Sequence, residues 1–197
     1  MANFQNALYQ RVKSIMKAWH ESDIYAISFF VYSNEAFEYN GFSNISTFAV
    51  SYNTEKDCRG AGMYDEERWN YAFWRHDATP VIDPDVPDSL IGALFDWYEE
   101  NGIANIGYED YKNCYDSKSR YIGKGPIGHY ELLCLVAEAA KRLQEEGFAE
   151  EHFKKKLPII IHGLEYAWYD IEATRAANVC GEADVFLEAM QKLGIIP

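Results

Sequence analysis

The densest group of side chains capable of chemistry lies in the stretch DEERWNYAFWRHD, residues 65–77. Trp69 and Trp74 occur there beside two arginines, one of which is Arg75. Guanidinium groups stack on indole rings, so this composition suits a ligand groove. The aromatic residues also alternate along the chain, which favours a core strand with polar edges, although Trp69 and Phe73 have helical spacing too. We favour the core strand and keep Trp69, Trp74 and Arg75 as candidate binding residues.

The second candidate is the glycine-rich stretch YIGKGPIGHYE, residues 121–131. Its three glycines match the letters of a dinucleotide-binding fingerprint, but no buried strand precedes them. A P-loop needs Ser or Thr directly after its lysine, and Lys124 is followed by Gly-Pro. Pro126 instead suits the first position of a helix. We predict a helix entrance at which Lys124 and free backbone amides could hold an anion.

The third candidate is His162, which ends the apolar stretch LPIIIH and is followed three residues later by Glu165. The pattern is not HExxH, and no second histidine lies at helical spacing, so we predict no metal site. A structural, hydrogen-bonded histidine is the simpler interpretation. His162 and Glu165 stay among the candidate binding residues.

Other signatures of catalysis are missing from the sequence. There is no GxSxG elbow and no recognisable catalytic cysteine motif, and the paired glutamates are adjacent in sequence, which places them on different sides of a helix. The four cysteines form no CxxC pair, which is typical of reduced cysteines in a cytoplasmic protein. The first residues lack the apolar core of a secretion signal. We expect no cofactor.

The charge of the chain restricts its partners. It carries 31 acidic and 18 basic residues, a formal net charge of −13. Such a field repels phosphate backbones and anionic lipid, so we expect neither nucleic acid nor membrane as a partner. It attracts a basic protein, although solubility alone is a common reason for an acidic surface. No stretch of about 18 apolar residues predicts a membrane span.

The elements that position these candidates follow from the hydrophobic pattern. We predict strands over 23–32, 45–52 and 157–162, the first two forming a long-looped antiparallel hairpin. We predict helices over 2–20, from 88 or 89 to 101, from 126 to a left-handed Gly147, over 164–177 and from 181 onward. Residues 80–88 suit an extended connection, and 103–124 a long irregular loop. The fold class is therefore α+β: a single domain over 1–197 whose mostly antiparallel sheet of about four to five strands packs against about five helices.

The order of aromatic motifs resembles a known family. ERW…FW at 67–74 follows the predicted hairpin, and EYAWYDIEATRAAN at 165–178 follows the late strand. This arrangement is similar to domain-of-unknown-function family 4303, a group of small, mainly bacterial intracellular proteins. The family has no established activity, so the resemblance implies no residue role. Its general look is similar to bacterial antitoxin and immunity proteins of the SUKH type, an analogy of fold only.

These observations favour a non-enzymatic, acidic, protein-binding module, and one form of this hypothesis is an immunity-type partner of a basic toxin. The alternative is an enzyme or small-ligand binder with a pocket near Trp69, Trp74, Lys124 and His162. A homo-oligomeric structural protein is a third possibility.

Overall fold

The computed structural model describes residues 2–196, and its centre is a four-stranded mixed sheet. The strands are β1 (Ile24–Ser33), β2 (Ser46–Thr54), β3 (Thr79–Ile82) and β4 (Ile159–His162), in the order β3-β2-β1-β4. β2 pairs antiparallel with both β1 and β3, whereas β4 adds to β1 in parallel. The predicted α+β class and strand number are confirmed.

Seven α-helices lie within the described residues. They are α1 (Ala2–Lys17), α2 (Glu66–Trp69), α3 (Ile91–Glu100), α4 (His129–Glu145), α5 (Phe148–Phe153), α6 (Trp168–Ala177) and α7 (Asp184–Lys192). A 3₁₀ turn, Tyr71–Phe73, follows α2. None of the helices in this part of the chain is long and apolar enough to cross a membrane.

The core has two parts. Apolar residues of α1, α3 and α4 pack with Ile27, Phe29 and Val31 of β1 in the larger cluster, as the helical stripes predict. The smaller cluster joins Tyr25 and Ile160 of the sheet to Trp69, Trp74 and apolar residues of α6 and α7. The segment that follows β2 therefore covers part of the sheet.

Thr174 of α6 and Asn178, which directly follows that helix, seal the free edge of β4. Thr174 Oγ1 accepts the amide of Ile161 at 2.9 Å and donates to its carbonyl at 3.1 Å. One turn later, the Asn178 amide makes the same two-way pairing with Ile159, at 2.9 and 2.8 Å. Because these residues are four apart, they lie on one side of the helix. The backbone N–H and C=O groups of Ile159 and Ile161 are therefore already paired and cannot pair with a strand of another molecule.

Four local predictions are wrong. The segment 68–75 is a short helix and a 3₁₀ turn instead of a strand, and the extended connection contains β3. Helix α5 was not predicted, because it has only six residues and directly follows Gly147. Pro126 does not open α4, which begins at His129 after Gly128 at φ +95°, a conformation outside the helix. Gly147 is left-handed as predicted, and 103–124 contains no helix or named strand.

Candidate functional site

His162 is held by hydrogen bonds through both ring nitrogens. It is 1% exposed, with Nε2 2.8 Å from Ser28 Oγ and Nδ1 2.8 Å from the Gly163 carbonyl oxygen. A carbonyl only accepts, so Nδ1 carries the proton and Nε2 accepts from the Ser28 hydroxyl. The ring is thereby fixed in one tautomer.

Aromatic rings enclose this histidine. The rings of Phe30, Tyr71 and Trp74 lie 5.5, 5.1 and 5.0 Å from it, centroid to centroid. Burial lowers the pKa of His162 to about 4, so the ring is neutral at pH 7. A serine bound to a neutral histidine is the arrangement of an activated nucleophile. Ser28, however, is only 3% exposed, and no substrate can reach it in this conformation.

Trp69 and Trp74 are core residues. They are 3% and 5% exposed, and their indole nitrogens donate to the carbonyls of Met63 and Arg68 at 2.7 and 2.8 Å. Trp69 contacts Phe186 edge to face at 5.6 Å. Buried indoles with satisfied N–H groups fit the core interpretation of this segment. Trp74 also borders an open cleft of about 750 Å³, whose other lining residues lie in 57–73.

Arg75, which follows Trp74 in the chain, is half-buried, and its guanidinium group forms an ion pair with Asp77. Its guanidinium Nη2 lies 2.6 Å from Asp77 Oδ2, and Nε lies 3.0 Å from Asp77 Oδ1. The same group stacks over the ring of Tyr52 at 4.5 Å. This fork geometry holds Arg75 on the protein itself.

The loop before α4 has few amides to offer an anion. Gly123 N–H donates to the Cys114 carbonyl, and Gly125 N–H to the Tyr121 hydroxyl. Gly128 N–H donates to Glu131, and the Lys124 ammonium lies 4.1 Å from the Tyr130 ring centroid. The expected anion site therefore lacks the free glycine amides on which it depended.

Glu165 is exposed and does not contact the aromatic rings around His162. It lines a cleft between α2, the β4–α6 connection and α7. The structure thus brings Trp74 and His162 into contact and places Trp69 in the same core. Arg75, Lys124 and Glu165 each have a different environment.

Sequence reasoning missed several buried polar residues. His129 is 4% exposed, its Nδ1 lies 2.9 Å from Ser46 Oγ, and burial lowers its pKa to about 4. Asp170 accepts the Ala167 amide at 2.9 Å, its Oδ1 has no partner, and burial raises its pKa to about 7. An acid at the third position of a helix is a capping signal that could have located Asp170. No such sequence signal marks Ser28 or Ser46, the serines that bind the two buried histidines.

One part of the surface, which we call the acidic–aromatic face, is formed by the β1–β2 loop, α3 and the start of the loop before α4. Tyr39 and Phe42 of the first loop contact Phe95 of α3, at 4.9 and 5.7 Å between ring centroids. Asn44 Nδ2 donates to the Gly107 carbonyl at 3.0 Å, which joins the two loops. The side chains that this face exposes are Glu35, Glu38, Phe42, Glu99, Tyr108, Asp110 and Tyr111.

The charge of this face is mainly negative, although the exposed Lys112 directly follows Tyr111. Residues 18–55 and 76–111 contain no Lys or Arg, and the second stretch has nine acidic residues. Partial burial and the neighbouring charges of Glu109 and Glu35 raise the pKa of Tyr111, so the two loops bring their acids together around that ring. Tyr108 and Tyr111 are 62% and 59% exposed. Large exposed aromatic rings beside an excess of acidic side chains are typical of a binding surface.

Among residues 2–196, no three His, Cys, Asp or Glu side chains lie close enough together to hold a metal ion. Neither a family model, nor a curated protein, nor a solved structure matches the chain. The resemblance to family 4303 therefore stays a prediction.

Proposed function

We propose that this chain is a non-enzymatic, bacterial protein-binding module that uses the acidic–aromatic face to bind a basic protein, in the manner of an immunity protein. The observation that carries the proposal is the exposure of Phe42, Tyr108 and Tyr111 beside acids of the stretches 18–55 and 76–111, which contain no Lys or Arg. Tyrosine and phenylalanine supply anchors, and the carboxylates attract and orient a cationic partner.

The burial of two candidate residues supports binding over catalysis at these positions. Trp69 and His162 are at most 3% exposed, so a substrate has no access to them. The four cysteines are free, which fits action in the cytoplasm.

The test is quantitative affinity capture from the native host, comparing wild type with Glu35→Lys/Glu38→Lys. Both glutamates are exposed, and their reversal changes the net charge from −13 to −9. A matched control, Glu138→Lys/Glu172→Lys, makes the same change on the exposed sides of α4 and α6. We expect one basic protein to be captured by wild type and control and lost from the face variant.

Equal capture by all three proteins would refute the role of the face. Equal loss from both variants would mean that only net charge matters, which also contradicts the proposal. Capture should weaken as salt rises, because exposed charges are screened over about 8 Å at physiological ionic strength.

A further inference from the structure

The cleft beside Glu165 has the properties of a small binding site. It lies between α2, the β4–α6 connection and α7, has a volume of about 310 Å³, and shares no residue with the acidic–aromatic face. That volume is near the lower end of the range for small-molecule sites, about 300–1,000 Å³.

The lining of the cleft is mainly apolar. Met190 is 1% exposed, while Leu164, Leu193 and Ile195 are 52%, 36% and 44% exposed. Medium and large apolar side chains left this open lose the free energy that burial would give them. A ligand with an apolar body would recover part of it.

The way α7 ends accounts for one wall. Gly194 takes a left-handed conformation, φ +72°, immediately after the helix. The amides of Ile195 and Ile196 then donate back to the Met190 carbonyl, at 2.9 and 3.3 Å. This C-terminal turn folds Ile195 back beside Met190, which keeps the cleft walled on that side.

The charged groups of the cleft have one sign. Glu66 and Glu165 are exposed and line it, and no Lys, Arg or His is among its lining residues. Glu66 Oε1 accepts from Asn70 Nδ2 at 2.8 Å, which positions one carboxylate over the cleft.

We infer that this cleft binds a small amphiphilic cation: an apolar chain or ring that carries one ammonium group. The apolar body occupies the space over Met190, and the ammonium group lies between Glu66 and Glu165. An anionic ligand of the same shape is excluded by both carboxylates, and a neutral one lacks their attraction.

The probe for the test is n-octylammonium, titrated into the full chain and followed by ligand-observed NMR and calorimetry, with octanoate and octanol as matched probes. We expect saturable binding of the ammonium, about tenfold weaker binding of octanol, and no binding of octanoate. Glu165→Gln should weaken ammonium binding about threefold, and Glu66→Gln/Glu165→Gln about tenfold.

The control variant is Glu67→Gln, next to Glu66 in α2 but outside the cleft lining. It should bind n-octylammonium as wild type does. The inference is overturned if octanoate binds as well as the ammonium, if the double variant binds like wild type, or if wild type shows no saturable binding. Because these glutamates and Glu35/Glu38 lie on different surfaces, failure here and failure of the proposed function are separate results.

Discussion

His162→Gln tests whether the enclosed histidine is a neutral core residue. Glutamine can still donate and accept hydrogen bonds toward Ser28 and Gly163, but it cannot ionise near neutral pH. Burial lowers the pKa of His162 to about 4, whereas an unfolded histidine has a pKa near 6.5. Between about pH 6.5 and pH 4, the unfolded chain therefore binds a proton at His162 and the folded protein does not.

The sign and size of the effect follow from linkage. The contribution of His162 to the free energy of unfolding is complete above pH 6.5 and is lost as the pH falls toward 4. Each pH unit in that interval costs about 1.4 kcal/mol. Between pH 7.5 and 5.5, wild type should lose about 1.4 kcal/mol more stability than His162→Gln.

The assay is urea unfolding of both proteins at a series of pH values. His129 and Asp170 also have shifted pKa values, but both proteins contain both residues, so their contributions cancel in the difference between wild type and variant. Ser28→Ala is the control, because it removes the hydrogen bond but keeps the histidine buried, and it should keep the wild-type pH dependence. A difference between wild type and His162→Gln that does not change with pH would refute the burial argument.

Two further predictions concern the scaffold. Asn178→Ala leaves both backbone groups of Ile159 unpaired at the edge of β4, so we expect about 3 kcal/mol of destabilisation, seen as a lower urea midpoint with an unchanged slope; a loss below about 0.5 kcal/mol would contradict the sealing of that edge. Gly107 has φ +84°, and a Cβ there would lie 1.8 Å from the Ser43 carbonyl oxygen, so Gly107→Ala should cost about 4 kcal/mol or prevent folding. Gly102→Ala is its control, at φ +69° with open space around the Cβ, and should cost about 1 kcal/mol in the same thermal or urea assay.

The parts of the fold that could be predicted are those with a long, regular pattern. The apolar stripe of α1 and the run of β-formers in β1 each repeat over ten or more residues, and both elements lie close to their predicted bounds. The alternating aromatics of the segment 68–75 suggest one buried strand face, but in the short helix and 3₁₀ turn Trp69 is buried and Phe73 is 53% exposed. β3 has only four residues, one of them Pro80, so its pattern is too short to recognise.

The candidate residues show a similar division. His162 was identified from its place at a strand end, but its partner Ser28 is 134 positions away and no local pattern joins them. The acidic–aromatic face joins three separate segments, so only the folded chain shows that Glu35 and Glu109 lie near the same tyrosine. The composition of that face can be read from the sequence, whereas its position depends on tertiary packing.

The most direct test of the proposed function is the association rate of the captured basic partner with wild type, Glu35→Lys/Glu38→Lys and Glu138→Lys/Glu172→Lys. At about 50 mM salt, we predict at least a tenfold slower rate for the face variant than for the control, and nearly equal rates for all three at about 1 M, where charges are screened beyond roughly 3 Å. Equal slowing of the two variants at low salt, or no slowing of either, would contradict the assignment of binding to the acidic–aromatic face.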